Sequence, residues 1–395
     1  MWRECEALQD YIVGIRRALH KIPELGFDLP ITENFIFAEL DKLGIPYKKV
    51  RAGIVGEITG GKPGKTLLLR ADTDALPVTE ETGLPFTSEH VGKMHACGHD
   101  AHIAMLIGAL RVINSHKSEL AGTVRFIFQA AEETFVGAAT AVKDSVLDGI
   151  DAVFGMHIGS ILGTHIPSGT ITVAPGCVMA SSDIFTIKVK GKGCHGSTPE
   201  KGADPVTMAA NIVLALQEIK ARELPATKAA VLTIGMITGG FASNVIPAEV
   251  EMKGTIRTVD SDVRKYVIER VEEISKAVAN VYRGEVDFSL MRGTPPLVND
   301  ADMTARAADA AEQVFGAENV RRSVDGPSMV SEDFSYFLEK RPGTFMFLNS
   351  ASAEKHTDAP HHSPKFDVDE EVLWKGSAAF VSIVQEFLVA KASEK

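Results

Sequence analysis

Cysteine is scarce in this chain: Cys5, Cys97, Cys177 and Cys194 are the only four in 395 residues. So wide a scatter excludes a small disulfide-stapled scaffold, and without closely spaced cysteine pairs neither a haem attachment run nor a zinc finger can be built. Basic clusters are missing too. The formal charge is −11 and no run of Lys or Arg interrupts it, which argues against a binder of phosphate backbones. No stretch approaches the roughly 18 apolar residues of a membrane span. The N-terminal "MWRECEALQDYIVGIRRALHKIPELG" carries charges every few positions instead of the continuous apolar core of a secretory signal. The expectation is a cytoplasmic protein with a small-molecule partner, and with neither nucleic acid nor membrane as partner.

What is present is ordinary globular material, 45% hydrophobic and 24% charged, long enough for two or three domains. Helical spacing covers 4–20 and 30–43, the second stretch stopped by Gly44 and Pro46. Short apolar runs then alternate with helices. "KTLLLRADTD" ends in Asp72 and Asp74, "TVRFIFQAAEE" in Glu132 and Glu133, and "DAVFGMHIG" near His157, while "GTFMFLNSA" leads to a loop holding His356, His361 and His362. This pattern predicts an α/β domain with a mostly parallel sheet, whose ligands bind beyond the carboxyl ends of the strands. The middle of the chain reads βαββαβ, with Asp204 and Pro205 opening its first helix. That order predicts a ferredoxin-like α+β domain at 183–296 inserted into an α/β domain made of 1–182 and 297–395.

One stretch is dense in chemistry. "MHACGHDAH" places three histidines and a cysteine within nine residues. Cys97 and His99 just before a helix suit two ligands of zinc or another borderline transition metal. His95 and His102 read as supporting or core residues. Two adjacent carboxylates in an apolar setting repel unless a cation or shared proton intervenes, so one of Glu132 and Glu133 can hold a metal while the other faces the cleft as general base. Each residue also has an ordinary structural reading: a solvated glutamate pair, aspartates forming a turn, a histidine bonded to a carbonyl.

"LRADTDALP", "MHACGHDAHIAMLIGA", "FIFQAAEE", "GMHIG", "CHGSTPEKGADPV", "SNVIPAEVEMKGTIRT", "SEDFSYF" and "HHSPKFDVDEE", in this order, resemble the M20 metallopeptidase family over nearly the whole chain. More narrowly they resemble its amidohydrolase branch of aminoacylases, hippurate hydrolases, indole-acetyl-amino-acid hydrolases and N-acetyl-diaminopimelate deacetylases. The resemblance implies that Cys97, His99, Glu133, His157 and His362 hold two divalent ions (Mn, Zn, Co or Ni), with Glu132 as general base and Asp74 behind a ligand, orienting it. His362 is chosen over His361 by its distance from Pro364. The wider family has a histidine where Asp72 stands and a bridging aspartate where Cys97 stands. From the inserted domain the resemblance nominates His195 for the oxyanion, and Asn244 and Arg257 for the substrate carboxylate. It also implies a homodimer through the inserted domain, which acts as lid and dimerisation module. The implied reaction is hydrolysis of N-acyl amino acids. A dipeptidase or aminopeptidase of the same family, or a noncatalytic metal-dependent binding protein, are the alternatives.

Overall fold

A computed structural model describes residues 1–389, so that positions 390–395 of the expected 297–395 segment lie outside the described residues. The chain divides into two compact units, one of Met1–Val178, Val298–Gly326 and Asp333 onward, the other of Met179–Leu297 with Pro327–Glu332.

The larger unit is built on an eight-stranded sheet in the order Tyr47–Val50, Gly53–Thr59, Ala121–Gln129, Lys62–Asp72, Ala152–Gly159, Gly343–Asn349, Ile171–Thr172, Val320–Arg321. Its four central strands, from Ala121–Gln129 to Gly343–Asn349, run parallel. Every position of the central strands Ala152–Gly159 and Gly343–Asn349 is buried, as strands covered on both faces require. Antiparallel pairings flank this centre. For the outermost pair the reason is connection length: Tyr47–Val50 and Gly53–Thr59 are joined by a tight turn, which only an antiparallel pair permits.

The helix His99–Ser115 is mostly apolar and is buried from His99 to Leu110, packed against the helices Gln9–His20 and Leu373–Leu388. Gly98 opens it in a left-handed conformation, φ 93°, where an added Cβ would stand 3.0 Å from Ile158 Cγ2. The helix expected over 4–20 instead starts as two 3-10 turns, Trp2–Glu4 and Glu6–Leu8, and becomes α-helical at Gln9–His20. Cys5, between the two turns, is fully buried, and over a single turn periodicity does not separate 3.0 from 3.6 residues per turn. The second helix spans Pro30–Leu43 and stops at Gly44 in the left-handed region.

The smaller unit has an antiparallel sheet in the order Glu285–Arg292, Asp183–Lys190, Glu249–Thr258, Ala230–Gly239. Numbered along the chain this is 4-1-3-2, the ferredoxin-like arrangement, with helices Pro205–Glu218 and Ser261–Val281. Asp204 caps the first helix by accepting from the Val206 N–H, with Pro205 in its first turn. Phe185, Ile187, Met208, Ile212, Met252 and Val267 form its core. Among the described residues no helix is long and apolar enough to cross a membrane.

Gly98→Ala is expected to cost about 1–2 kcal/mol for the left-handed backbone alone, since a Cβ collides with the following carbonyl there. Thermal unfolding should show a lowered midpoint; an unchanged one would mean that the turn relaxes without strain.

Candidate active site

The chemistry-bearing residues of the larger unit collect at the carboxyl ends of its parallel strands. Asp72 ends the strand Lys62–Asp72, Glu132 and Glu133 follow Ala121–Gln129, and His157 lies near the end of Ala152–Gly159. Cys97 stands just before the helix His99–Ser115, and His361 and His362 follow Gly343–Asn349. Two of the connecting turns are strained, with Ala131 at φ 61° and His362 at φ 64°. Hydrogen bonds hold both. The Asp74 carboxylate accepts from the Glu132 N–H at 2.9 Å and the Glu133 N–H at 3.2 Å, and the His362 N–H donates to Ala96 O at 2.8 Å.

Cys97 is the node of the arrangement. Its Sγ lies 3.4 Å from His157 Nε2 and 3.7 Å from His361 Nδ1, and its ligand atom falls within 4.8 Å of those of Glu133 and His362. Glu133 Oε2 is 3.5 Å from His362 Nε2, and Glu133 Oε1 is 3.9 Å from His99 Nε2. His99 Nε2 also faces Asp72 Oδ2 at 3.6 Å, yet it is buried and has no hydrogen-bond partner among the described residues. Two donors each about 2.0–2.3 Å from one tetrahedral ion stand roughly 3.3–3.8 Å apart, the spacing of all these pairs but Glu133–His99, which is 3.9 Å. Thiolate, imidazole and carboxylate donors around an orphaned imidazole nitrogen fit a divalent transition metal.

Supporting bonds leave the right atoms facing inward. His99 Nδ1 donates to the Asp74 carbonyl at 2.8 Å and His157 Nδ1 to the Ile158 carbonyl at 2.7 Å, which frees Nε2 of each. It is the carbonyl of Asp74 that turns His99, whereas its carboxylate holds the two glutamate backbones. His102 donates from Nδ1 to Asp72 and accepts at Nε2 from the Ile158 N–H, so its hydrogen bonds are complete without a metal. His95 is buried, and neither of its ring nitrogens has a hydrogen-bond partner among the described residues.

Burial governs the protonation states. It pushes His99 and His361 down to about 3 and His157 well below its ordinary value, so these imidazoles are neutral at pH 7 and ready to ligate. Burial, then Glu133, Glu132 and Asp72, hold the Cys97 thiol well above its usual range. Burial also raises Asp74, to about 7, against the opposing pull of the Glu132 N–H. Asp72 would be raised by the same effect, but Arg70, His102 and His99 hold it well below the carboxylate range.

Glu132 is buried, and its Oε1 accepts from the Asp333 N–H at 3.3 Å. Asp333 belongs to the "SEDFSYF" stretch, to which sequence reading gave no role. Its carboxylate is fixed by Arg70 Nη2 at 2.8 Å, by Gln129 Nε2 at 2.8 Å and by the Ala138 N–H at 2.8 Å. His361 was likewise passed over for His362; the structure places both in the donor cluster, and the doublet "HH" was the available signal.

In the smaller unit His195 and Asn244 adjoin: the ladder pairs Cys194–His195 with Val245–Ile246, and the Gly196 N–H donates to Asn244 O at 2.7 Å. Both side chains are exposed. The Ser197 N–H donates to His195 Nδ1 at 3.1 Å, which assigns the ring proton to Nε2. Arg257, on Glu249–Thr258, is half-buried and donates from Nη1 to Met329 O at 3.1 Å and to Ser331 Oγ at 2.9 Å.

A model of peptidase family M20/M25/M40 matches residues 68–386. The chain is similar to N-acetyl-L-cysteine deacetylase of Bacillus subtilis, 38% identical over 374 residues that cover 94% of this chain and 86% of that one. It is 37% identical over 392 residues to IAA-amino acid hydrolase ILR1-like 5 of Arabidopsis thaliana, covering 97% and 88%. Among solved structures, the YXEP protein of Bacillus subtilis, described as a dinuclear metal binding peptidase from the M20 family, superposes with a TM-score of 0.82 at 35% identity, covering 96% of this chain and 98% of that one.

Because the Cys97 thiol is held protonated while the buried imidazoles are neutral, cation binding is expected to release about one proton at neutral pH. Affinity should therefore rise about tenfold per pH unit below the thiol's own titration. Calorimetry in buffers of different ionisation enthalpy checks this, and Cys97→Ser should abolish the release; proton release that persists in the variant would assign it elsewhere.

Proposed function

Since the chain belongs to peptidase family M20/M25/M40, we propose that it is a metal-dependent amidohydrolase that cleaves N-acyl amino acids to a carboxylic acid and a free amino acid. The observation that carries this reading is the pairing of a buried Glu132, held by the Asp333 N–H, with a donor cluster centred on Cys97. The names of the similar N-acetyl-L-cysteine deacetylase and IAA-amino acid hydrolase support the substrate class.

In this reading Cys97, His99, Glu133, His157 and His362 hold two divalent ions, Mn, Zn, Co or Ni, with His361 as the alternative to His362. Ions bound there would polarise the scissile carbonyl and acidify the attacking water. Glu132 takes the proton of that water and returns it to the departing amine. His195 offers Nε2–H to the developing oxyanion. Arg257, with Asn244, grips the substrate's carboxylate. Its Nη1 is committed to Met329 and Ser331, while Nε and Nη2 make no hydrogen bond among the described residues, which leaves one edge of the guanidinium fork open.

A homodimer through the smaller unit is supported by the strand Ala230–Gly239 at the edge of its sheet, where Met236 and Ile237 are exposed and Phe241 is 84% accessible. A cytoplasmic location is supported by the four free cysteines. A peptidase reading is kept because the YXEP protein carries that description.

The test is release of amino acid from acetyl, benzoyl, indole-acetyl and aminobenzoyl conjugates, with and without chelator. Turnover should vanish with chelator and return with added metal. Glu132→Gln should lower kcat by about 10²–10⁴-fold with metal content unchanged. Near-full turnover in that variant would remove Glu132 as the base, and a requirement for a free substrate amine would favour the peptidase.

A further inference from the structure

Arg16, on the helix Gln9–His20, is completely buried and bonds three carboxylates. Nε donates to Asp100 Oδ2 at 2.9 Å, Nη2 to Asp367 Oδ1 at 2.8 Å and Nη1 to Glu370 Oε1 at 3.1 Å. These carboxylates come from two segments far apart in the chain. Asp100 directly follows His99, and Asp367 and Glu370 lie a few residues beyond His361 and His362. The two segments also meet at the donor cluster, where the His362 N–H bonds Ala96 O and the His361 ring lies 4.6 Å from that of Phe366. Phe366 in turn stands 3.6 Å from where a Cβ on Gly98 would be. The segments are thus tied at the site by one backbone hydrogen bond and away from it by one guanidinium.

The surroundings of Arg16 are equally constrained. His20 Nδ1 lies 2.7 Å from the same Asp100 oxygen, and its Nε2 lies 3.3 Å from Glu80 Oε1. The Phe86 ring covers the guanidinium, 5.0 Å from Cζ to centroid. Stability alone does not call for such a cluster, since well-packed apolar residues of similar volume generally serve a buried site as well or better. A planar fork that reaches three acceptors at fixed angles does something that apolar packing cannot: it sets the distance between the segments carrying them.

Resting on the metal reading above, we propose that Arg16 is a positioning residue for the metal centre, its bonds to Asp100, Asp367 and Glu370 setting the spacing between the Cys97–His99 turn and the His361–His362 turn. None of these four residues belongs to the donor cluster itself, so their effect on a bound ion is transmitted through the backbone.

The test titrates Co2+ into the metal-free, full-length chain and follows the near-ultraviolet thiolate band and the visible d–d bands, with Tm measured in parallel. Arg16→Met should weaken Co2+ binding by about 10–100-fold, the usual effect of losing a group behind a ligand, and should alter the d–d bands. Arg16→Lys, a point charge that cannot span three carboxylates, should fall between it and the wild type. Arg264→Met removes a comparable bidentate pair with Asp183 in the smaller unit; it should lower Tm while leaving Co2+ affinity unchanged. If Arg16→Met fails to fold, Asp367→Ala/Glu370→Ala keeps the Arg16–Asp100 bond and removes both acceptors on the second segment, along with the exposed Arg17–Glu370 pair, and weaker Co2+ binding is again expected. Wild-type affinity and spectrum in Arg16→Met, or in that double variant, would overturn the proposal, as would an equal loss in Arg264→Met. A wild-type chain without a Co2+–thiolate band overturns the metal reading and the positioning role together, whereas bound Co2+ without turnover on acyl amino acids overturns only the substrate reading.

Discussion

Carboxylates can be gathered in a dry crevice only if each is met by a cation or by N–H groups aimed at it, because an unpaired buried charge costs several kcal/mol. The larger unit meets this condition residue by residue. Arg70, itself buried, donates to Asp72 at 2.6 Å, to Asp333 at 2.8 Å and to the Gln129 side chain at 3.0 Å. Asp74 is met by the backbone of Glu132 and Glu133, and Asp100 by Arg16. Through these bonds one buried guanidinium fixes both the aspartate that orients His102 and the aspartate whose N–H holds Glu132.

The same burial explains why the cluster can await a cation. Desolvation keeps the imidazoles neutral and the thiol protonated, so the donor set without an ion carries less charge than its residue types suggest. A divalent ion inverts the balance at Cys97, since the field that raises a thiol among carboxylates is reversed by two positive charges beside it. Folding and loading are therefore compatible demands on one set of residues.

Much of this was legible because local pattern and local chemistry coincide. The apolar run "KTLLLR" announces a buried strand, and the aspartates that end it stand where a parallel sheet opens its crevice. Asp204 followed by Pro205 announces a helix start for reasons that operate within three residues. Arg16 lay hidden for the opposite reason. In sequence it is one more charge on an amphipathic N-terminal helix, and only partners 84 and more residues away make it a core residue. Asp333 was hidden likewise, and the choice between His361 and His362 could not be made locally, since which of two adjacent histidines faces a distant thiol, or which N–H meets a glutamate, is settled by long-range packing. The antiparallel pairing at the Tyr47–Val50 edge of the sheet follows from connection length, which apolar runs alone do not display.

The residues assigned to substrate differ from those assigned to catalysis in a way that follows from solvation. Glu132 and most of the candidate metal donors are buried with their supporting bonds already made, which fixes geometry in advance of any ligand. His195 and Asn244 are exposed, and Arg257 keeps one edge of its fork without an acceptor among the described residues. An open guanidinium edge is tolerable only while water can reach it; sealed in the core it would carry the full penalty of an unmet charge. A carboxylate that displaces that water gains a bidentate partner at little cost in reorganisation, whereas a neutral group leaves the guanidinium desolvated and unpaired. On the proposed role of Arg257, discrimination in favour of acyl groups attached to amino acids, over simple amides, would come from the penalty that its unmet edge imposes on whatever lacks the carboxylate.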